Sequence, residues 1–189
     1  MDEKKIKEAV RLFLEGIGED PDREGLQETP ERIVRMCGEV YGGLQEEAGE
    51  HLCKTFSSDN NQMVIEKDIT FYSMCEHHLV PFFGRVSLVY KPRNGMVAGL
   101  SKFVKLVELL SHRPQLQERL TEQIVQAVYE DLQAEGVLAI SEAQQLCMTM
   151  RGDMAQGTST LASACRGCFE GDKDMYNQAW QLLGWNRNE

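Results

Sequence analysis

The stretch Val64-Ile65-Glu66-Lys67-Asp68-Ile69-Thr70-Phe71-Tyr72-Ser73-Met74-Cys75-Glu76-His77-His78-Leu79-Val80-Pro81-Phe82-Phe83-Gly84-Arg85-Val86-Ser87-Leu88-Val89-Tyr90 decides the fold. Val64, Ile65, Ile69 and Phe71 before its centre, and Phe82, Val86, Leu88 and Tyr90 after it, have the β-branched and aromatic density of two strands. Between them, Cys75 to Pro81 reads as a loop or strand end. Cys75-Glu76-His77-His78 sets a thiol and an imidazole three residues apart, a spacing that closes one small chelate on a borderline-soft ion. A distant thiol, Cys147 in Gln145-Leu146-Cys147-Met148-Thr149-Met150-Arg151-Gly152, adds a third ligand and leaves a fourth position for water. That is the layout of a catalytic zinc site. Glu76 and His77, inside the chelate, are able to move protons, and on an extended segment His77 points away from His78. A second reading joins Cys165 and Cys168 of Cys165-Arg166-Gly167-Cys168 to Cys75 and His78 as a closed structural site, which would make the protein a binding module. On a strand, residues three apart face opposite sides, so that reading needs a turn at Gly167. Cys37 and Cys53 read as small packing hydrophobes, and His51 and His112 as surface residues.

Outward from this centre the chain has a helical front and a mixed back. Ile6, Ala9, Val10, Leu12 and Phe13 lie near one face of a helix over Lys4 to Leu14, and the acid-rich run Glu15 to Gly25 breaks it. Thr29-Pro30 predicts a helix start, with threonine as cap, proline at the first helical position and Ile33, Met36, Val40 and Tyr41 as the buried stripe. Gly42-Gly43 stops that helix, and Glu46, Glu47 and Glu50 after it read as solvated. Helical spacing recurs over Ser101 to Ser111 and Gln115 to Glu135, ending at Gly136. Val137 to Ile140, Gln145 to Met150 and Ser159 to Phe169 read as three more strands, and Asp172 to Trp185 as a closing helix. Strands in hairpin-like pairs around a helix pair make an α+β domain with an antiparallel sheet and its helices on one face. Residues 1–55 form an N-terminal helical region and residues 56–189 the sheet domain.

Composition narrows the function. A length of 189 residues suits one domain, and 42% hydrophobic residues suffice for its core. The apolar runs are too short for a membrane span, and Met1-Asp2-Glu3-Lys4-Lys5 lacks the apolar stretch of a secretory signal. The expectation is a cytoplasmic protein with no membrane partner, its six cysteines reduced thiols or ligands. A net charge of −10 argues against nucleic acid as a partner. Arg32 with Arg35, Lys102 with Lys105, and Arg151 are local basic groups which, gathered in one cleft, could hold a triphosphate.

Four segments taken together, Cys75-Glu76-His77-His78, Gly99-Leu100-Ser101-Lys102, Arg113-Pro114-Gln115-Leu116-Gln117-Glu118-Arg119-Leu120-Thr121 and Leu146-Cys147-Met148-Thr149-Met150-Arg151-Gly152, resemble GTP cyclohydrolase I. The resemblance covers about Thr29 to Phe169 and implies a tunnelling fold: an antiparallel sheet backed by two helices, with an N-terminal helical extension. It implies a homodecamer with active sites at subunit interfaces, and GTP as substrate. Carried over, it makes Cys75, His78 and Cys147 zinc ligands and His77 the acid and base, with Ser101 assisting near the sugar. Gln117 and Glu118 match the residues at the guanine edge; Lys102, Arg151, Arg32 and Arg35 match groups on the ribose and triphosphate side. Lys105 stands where the family has arginine, which keeps charge but loses the bidentate fork. The implied reaction adds water at C8 of GTP, opens the imidazole ring, releases formate and recloses to 7,8-dihydroneopterin triphosphate.

One position departs from the pattern. The family carries a catalytic histidine two residues before the second cysteine ligand, and this chain has Gln145. An amide does not titrate near neutral pH, and loss of a positioned acid or base costs roughly 100- to 10,000-fold. Three outcomes stand: full turnover with another group compensating, arrest at the ring-opened formamidopyrimidine nucleotide, or an inactive GTP-binding or regulatory homologue. Asp153-Met154-Ala155-Gln156-Gly157 also replaces a segment that is basic in much of the family.

Overall fold

In a computed structural model of the chain, the opening stretch folds as a hairpin of two long strands, Val64–Cys75 and Pro81–Lys91. The structure describes residues 1–45, 52, 55–58, 61–151 and 156–184. Two helices come first, α1 (Glu3–Gly16) and α2 (Thr29–Val40), followed by a single tight turn over Gly42–Gln45. Then come β1 (Thr55–Ser57), β2 (Val64–Cys75), β3 (Pro81–Lys91), β4 (Met96–Ala98), α3 (Ser101–Ser111), β5 (Pro114–Gln115) and α4 (Gln117–Asp131). The chain closes with β6 (Gly136–Gln145), α5 (Leu146–Thr149), β7 (Thr160–Gly167), α6 (Cys168–Gly171) and α7 (Lys173–Leu183). The main sheet has the order β5-β2-β3-β6-β7, and β1 pairs separately with β4. Its four long strands are antiparallel; only the two-residue β5 runs parallel, beside the end of β2.

Register fixes what meets at each end. Met74 lies opposite Pro81, Phe82 opposite Gln145 and Ala143 opposite Thr160, so the ends of β2 and β6 stand together. At the far end Lys91 lies opposite Gly136, and Gly136 opposite Gly167. Strand alternation then divides the apolar residues between two faces. Phe71, Phe82, Val86, Leu88, Tyr90, Val137 and Ala139 pack against Phe103, Leu106 and Val107 of α3 and Leu120, Ile124 and Val128 of α4. Each such side chain contributes about 1.5–3 kcal/mol of burial before chain entropy is counted. This is the expected α+β arrangement, a sheet backed by two helices.

Several boundaries and faces differ from expectation. The closing helix packs on the opposite face, where Ala179 and Leu183 meet Val89, Leu138, Ile140 and Phe169, so not every helix shares one side. Pro30 does occupy the first turn of α2, but the cap is Glu28, without a side-chain hydrogen bond, and Thr29 is already helical. The buried members of α1 and α2 are Leu14, Pro30 and Val34; Leu12, Phe13 and Met36 are 60%, 66% and 39% exposed. Helical spacing locates an apolar stripe but does not supply a surface to cover it. Gln115 belongs to β5, so α4 starts at Gln117, and Gly136 opens β6 rather than ending a helix. A Cβ at Gly136 would collide with the Cys168 sulfur, which accounts for glycine there. Glu46, Glu47, Glu50, His51, Cys53, most of the Asp153 segment and Trp185 lie outside the described residues.

Candidate functional site

Cys75 is the last residue of β2, and the chain turns at once. The Leu79 N–H donates to the Cys75 carbonyl at 2.8 Å, and the Cys75 N–H donates to the Val80 carbonyl at 2.9 Å. Leu79 takes a left-handed φ of 52° to make this closure. The segment is therefore a turn, not extended, and the turn swings His78 back over Cys75. Cys147 arrives from the neighbouring strand end, where β6 gives way to the one-turn helix α5. The expected strand over Gln145 to Met150 is absent because the ladder with β3 stops at Phe82–Gln145.

The ligand atoms of Cys75, His78 and Cys147 lie within 4.8 Å of one another. Two thiols and an imidazole are the donor set that zinc favours, with bond lengths of about 2.3 and 2.0 Å, so the residues fit that ion. Cys75 is buried, Cys147 half-buried and His78 exposed, which leaves one side of the cluster open. Burial first, then the neighbouring Cys75 sulfur, push the Cys147 thiol up, while Arg151 pulls the other way. A cation between the sulfurs reverses this preference, because ligation requires thiolate. The Arg151 guanidinium stands 2.9 Å from His78 Nε2; it can only donate, so that nitrogen accepts.

Glu76 is not free to shuttle protons. Arg119 on α4 grips its carboxylate with two bonds, at 2.5 and 3.0 Å, and holds it below the usual carboxylate range. The Glu76 N–H also donates to the Gln115 carbonyl at 3.1 Å, so α4 and its leading segment brace the chelating turn. His77 is exposed, its ring nearly perpendicular to that of His78, with centroids 6.3 Å apart.

Gln145 points to the helix-backed face, in phase with Val137, Ala139, Ser141 and Ala143. Its Nε2 donates to Gln117 Oε1 at 2.8 Å. Gln117, the first residue of α4, is buried, and its own Nε2 donates to the carbonyls of Ser141 and Thr160 at 3.1 and 2.8 Å. Thr121 and Ser141, fully buried, close the network through their hydroxyls at 2.7 Å. The Gln117 amide is thus engaged inside the protein, whereas the next residue, Glu118, is exposed on the first turn of α4.

Ser101, Lys102 and Lys105 lie on the first turns of α3, which packs on β2. Arg32 pairs with Glu28 at 2.8 Å, and α2, which also carries Arg35, packs mainly on α1 and the Gly42–Gln45 turn. Within one chain the structure therefore unites Cys75, His78, Cys147 and Arg151, and separately Gln145 with Gln117. Arg119 and Ser141 are site-bracing residues without an assigned role in the sequence reading. Ser141 did leave a signal, a polar residue in phase with the apolar face of its strand; Arg119 left none, being 43 residues from its partner. A groove of about 460 Å³ lined by Asp68, Thr70, Arg85, Glu142 and Gln144 opens on the other face of the sheet and includes no cluster residue.

The Cys165 to Cys168 reading fails on position. Gly167 does turn, with φ of 67°, but both cysteines sit at the far end of the sheet, in the cluster around Phe169 and Leu183.

The chain matches the family described as GTP cyclohydrolase I over residues 6–184. It is 52% identical to a GTP cyclohydrolase 1 of Finegoldia magna over 184 residues, covering 97% of this chain and all of that one. A GTP cyclohydrolase 1 of Streptococcus sanguinis shows the same identity and coverage, and one of Clostridium perfringens is 51% identical over 97% of this chain and 98% of its own. Among solved structures, an apo archaeosine synthase QueF-like protein overlaps 58% of this chain and 97% of that one, at 19% identity and a TM-score of 0.46.

Proposed function

The chain belongs to the GTP cyclohydrolase I family, and on that premise we propose that it hydrolytically opens the imidazole ring of GTP at C8. The convergence of Cys75, His78 and Cys147 within 4.8 Å supports the reading. These three residues would hold zinc, which supplies water activated near neutral pH. Arg151, beside His78, takes a phosphate or ribose oxygen, and Lys102 and Lys105 add charge along α3. Glu118, exposed at the start of α4, accepts from the ring N–H and amino group of guanine. His77, exposed one residue before the ligand, moves protons during ring opening, with Ser101 at the sugar. The full sequence ends in formate and 7,8-dihydroneopterin triphosphate. The family's interface sites and homodecamer carry over to this chain in the same reading; the exposed Leu12, Phe13 and Met36 support association, and light scattering tests it.

A second reading rests on Gln145. Its amide is engaged with Gln117 and carries no titratable proton, so the step that expels formate lacks its usual acid and base. Arrest then leaves a formamidopyrimidine nucleotide. Zinc-loaded protein incubated with GTP separates the outcomes: formate with a pteridine chromophore at an ordinary rate supports full turnover and sinks arrest. A formyl-bearing product without formate supports arrest, and Gln145→His should then raise formate release by roughly 100-fold or more. GTP binding with an unchanged purine spectrum indicates an inactive homologue and overturns both readings.

A further inference from the structure

We infer that Gln145 is a positioning residue, acting through Gln117 to hold the first turn of α4, and Glu118 with it, in place for guanine. The inference rests on the reading of this cleft as a GTP site. Its physical basis is the direction of the hydrogen bonds. Gln117 Nε2 faces two backbone carbonyls, of Ser141 and Thr160, which can only accept, so the nitrogen of that amide must be there. Gln117 Oε1 therefore faces Gln145, and residue 145 has to be a donor. Glutamine meets this requirement at any pH, through one N–H of its amide.

The consequence of losing the donor is local and specific. Gln117 is 2% exposed, so an unmatched Oε1 has no water to turn to. The amide would have to rotate away from Thr160 and Ser141, releasing the ties that join α4 to β6 and β7. Glu118 follows Gln117 directly, so its carboxylate shifts with the turn. Arg151 and the lysines of α3 sit on other elements and do not.

The test uses zinc-loaded full-length protein, with GTP and inorganic triphosphate as probes and affinity read by stopped-flow in the first seconds after mixing. Gln145→Glu keeps the shape but, ionised, offers only acceptors. At pH 8 it should weaken GTP about tenfold and leave triphosphate unchanged. A merely structural defect would weaken both probes alike. Gln145→His retains a donor and should bind GTP like the wild type. Unchanged GTP affinity in Gln145→Glu at pH 8, or equal weakening of GTP and triphosphate, overturns the inference. If the wild type itself binds no GTP, the GTP-site reading fails and the inference falls with it.

Discussion

Two pairs of cysteines stand at opposite ends of one sheet, and only one pair meets a third residue able to ligate a metal. Cys75 and Cys147 lie where β2 and β6 end, beside an imidazole carried on a turn, with one side open. Cys165 and Cys168 lie at the end marked by Gly136 and Gly167, among Phe169, Ala179 and Leu183. By spacing alone, a Cys-x-x-Cys is the more familiar ligand pair. Burial raises the thiols of Cys147, Cys165 and Cys168 alike, so a raised thiol does not mark the site either. The difference lies in the register: the ten residues of β6 separate the two ends by about 30 Å. One end gathers a third residue able to ligate and the other gathers hydrophobic side chains.

The largest effect expected is on the metal itself. Cys147→Ser should lose zinc and bring GTP conversion to background, while Cys168→Ser should keep stoichiometric zinc. Emission spectroscopy on the purified variants reads both. Zinc retained in the first, or lost in the second, would reverse the assignment of the two ends.

Chelation sharpens the same contrast without mutation. Stripping metal with phenanthroline should speed alkylation of Cys147 and leave the rates at Cys165 and Cys168 unchanged, as mapped by mass spectrometry. The latter pair is half-buried, and that burial holds both thiols above their ordinary range. A group whose folded-state value is raised keeps its proton when the unfolded chain has lost it. Stability from this source is therefore present below about pH 8.5 and declines as pH rises beyond it. Melting temperature should fall on the alkaline side, and less steeply in Cys165→Ala/Cys168→Ala; equal slopes would assign the alkaline loss to other groups.

Much of this architecture was legible in the sequence, for identifiable reasons. The hairpin was readable because Val86, Leu88 and Tyr90 alternate with residues of the other face, and α3 because its apolar stripe has helical spacing between clear breaks. Leu146 to Met150 was misread because alternating apolar residues look the same on a strand and on a helical turn just past the end of a ladder. The buried stripe of α2 was misread at Met36, which finds no cover among the described residues. The convergence of Cys75, His78 and Cys147 was legible from their residue types and spacing. The bond from Gln145 to Gln117 was not, since it joins two long-separated polar residues that only strand phase brings together.

The smallest effect expected distinguishes two arginines that tie α4 into the fold, one at its first turn and one at its middle. Arg119 at the metal end holds Glu76 of the chelating turn; Arg166 at the far end bonds Gln126 and Glu122 of the same helix. Neither pair is deeply buried, so neither should decide folding. Arg119→Ala should nevertheless weaken zinc retention, by less than tenfold, because the turn that positions His78 loses its brace. Arg166→Ala should leave zinc affinity unchanged and affect only the melting temperature. The sign of the pH dependence separates brace from ligand. Glu76, held low by Arg119, keeps the pair intact above about pH 4.3 and lets go only as pH falls further. Zinc should leave earlier, because its ligands hold it only when deprotonated. Arg119→Ala should then lower zinc affinity by the same factor across pH 6 to 8, with no change in the slope of release. A changed slope would mean that Glu76 titrates with the ligands and belongs to the proton chemistry after all.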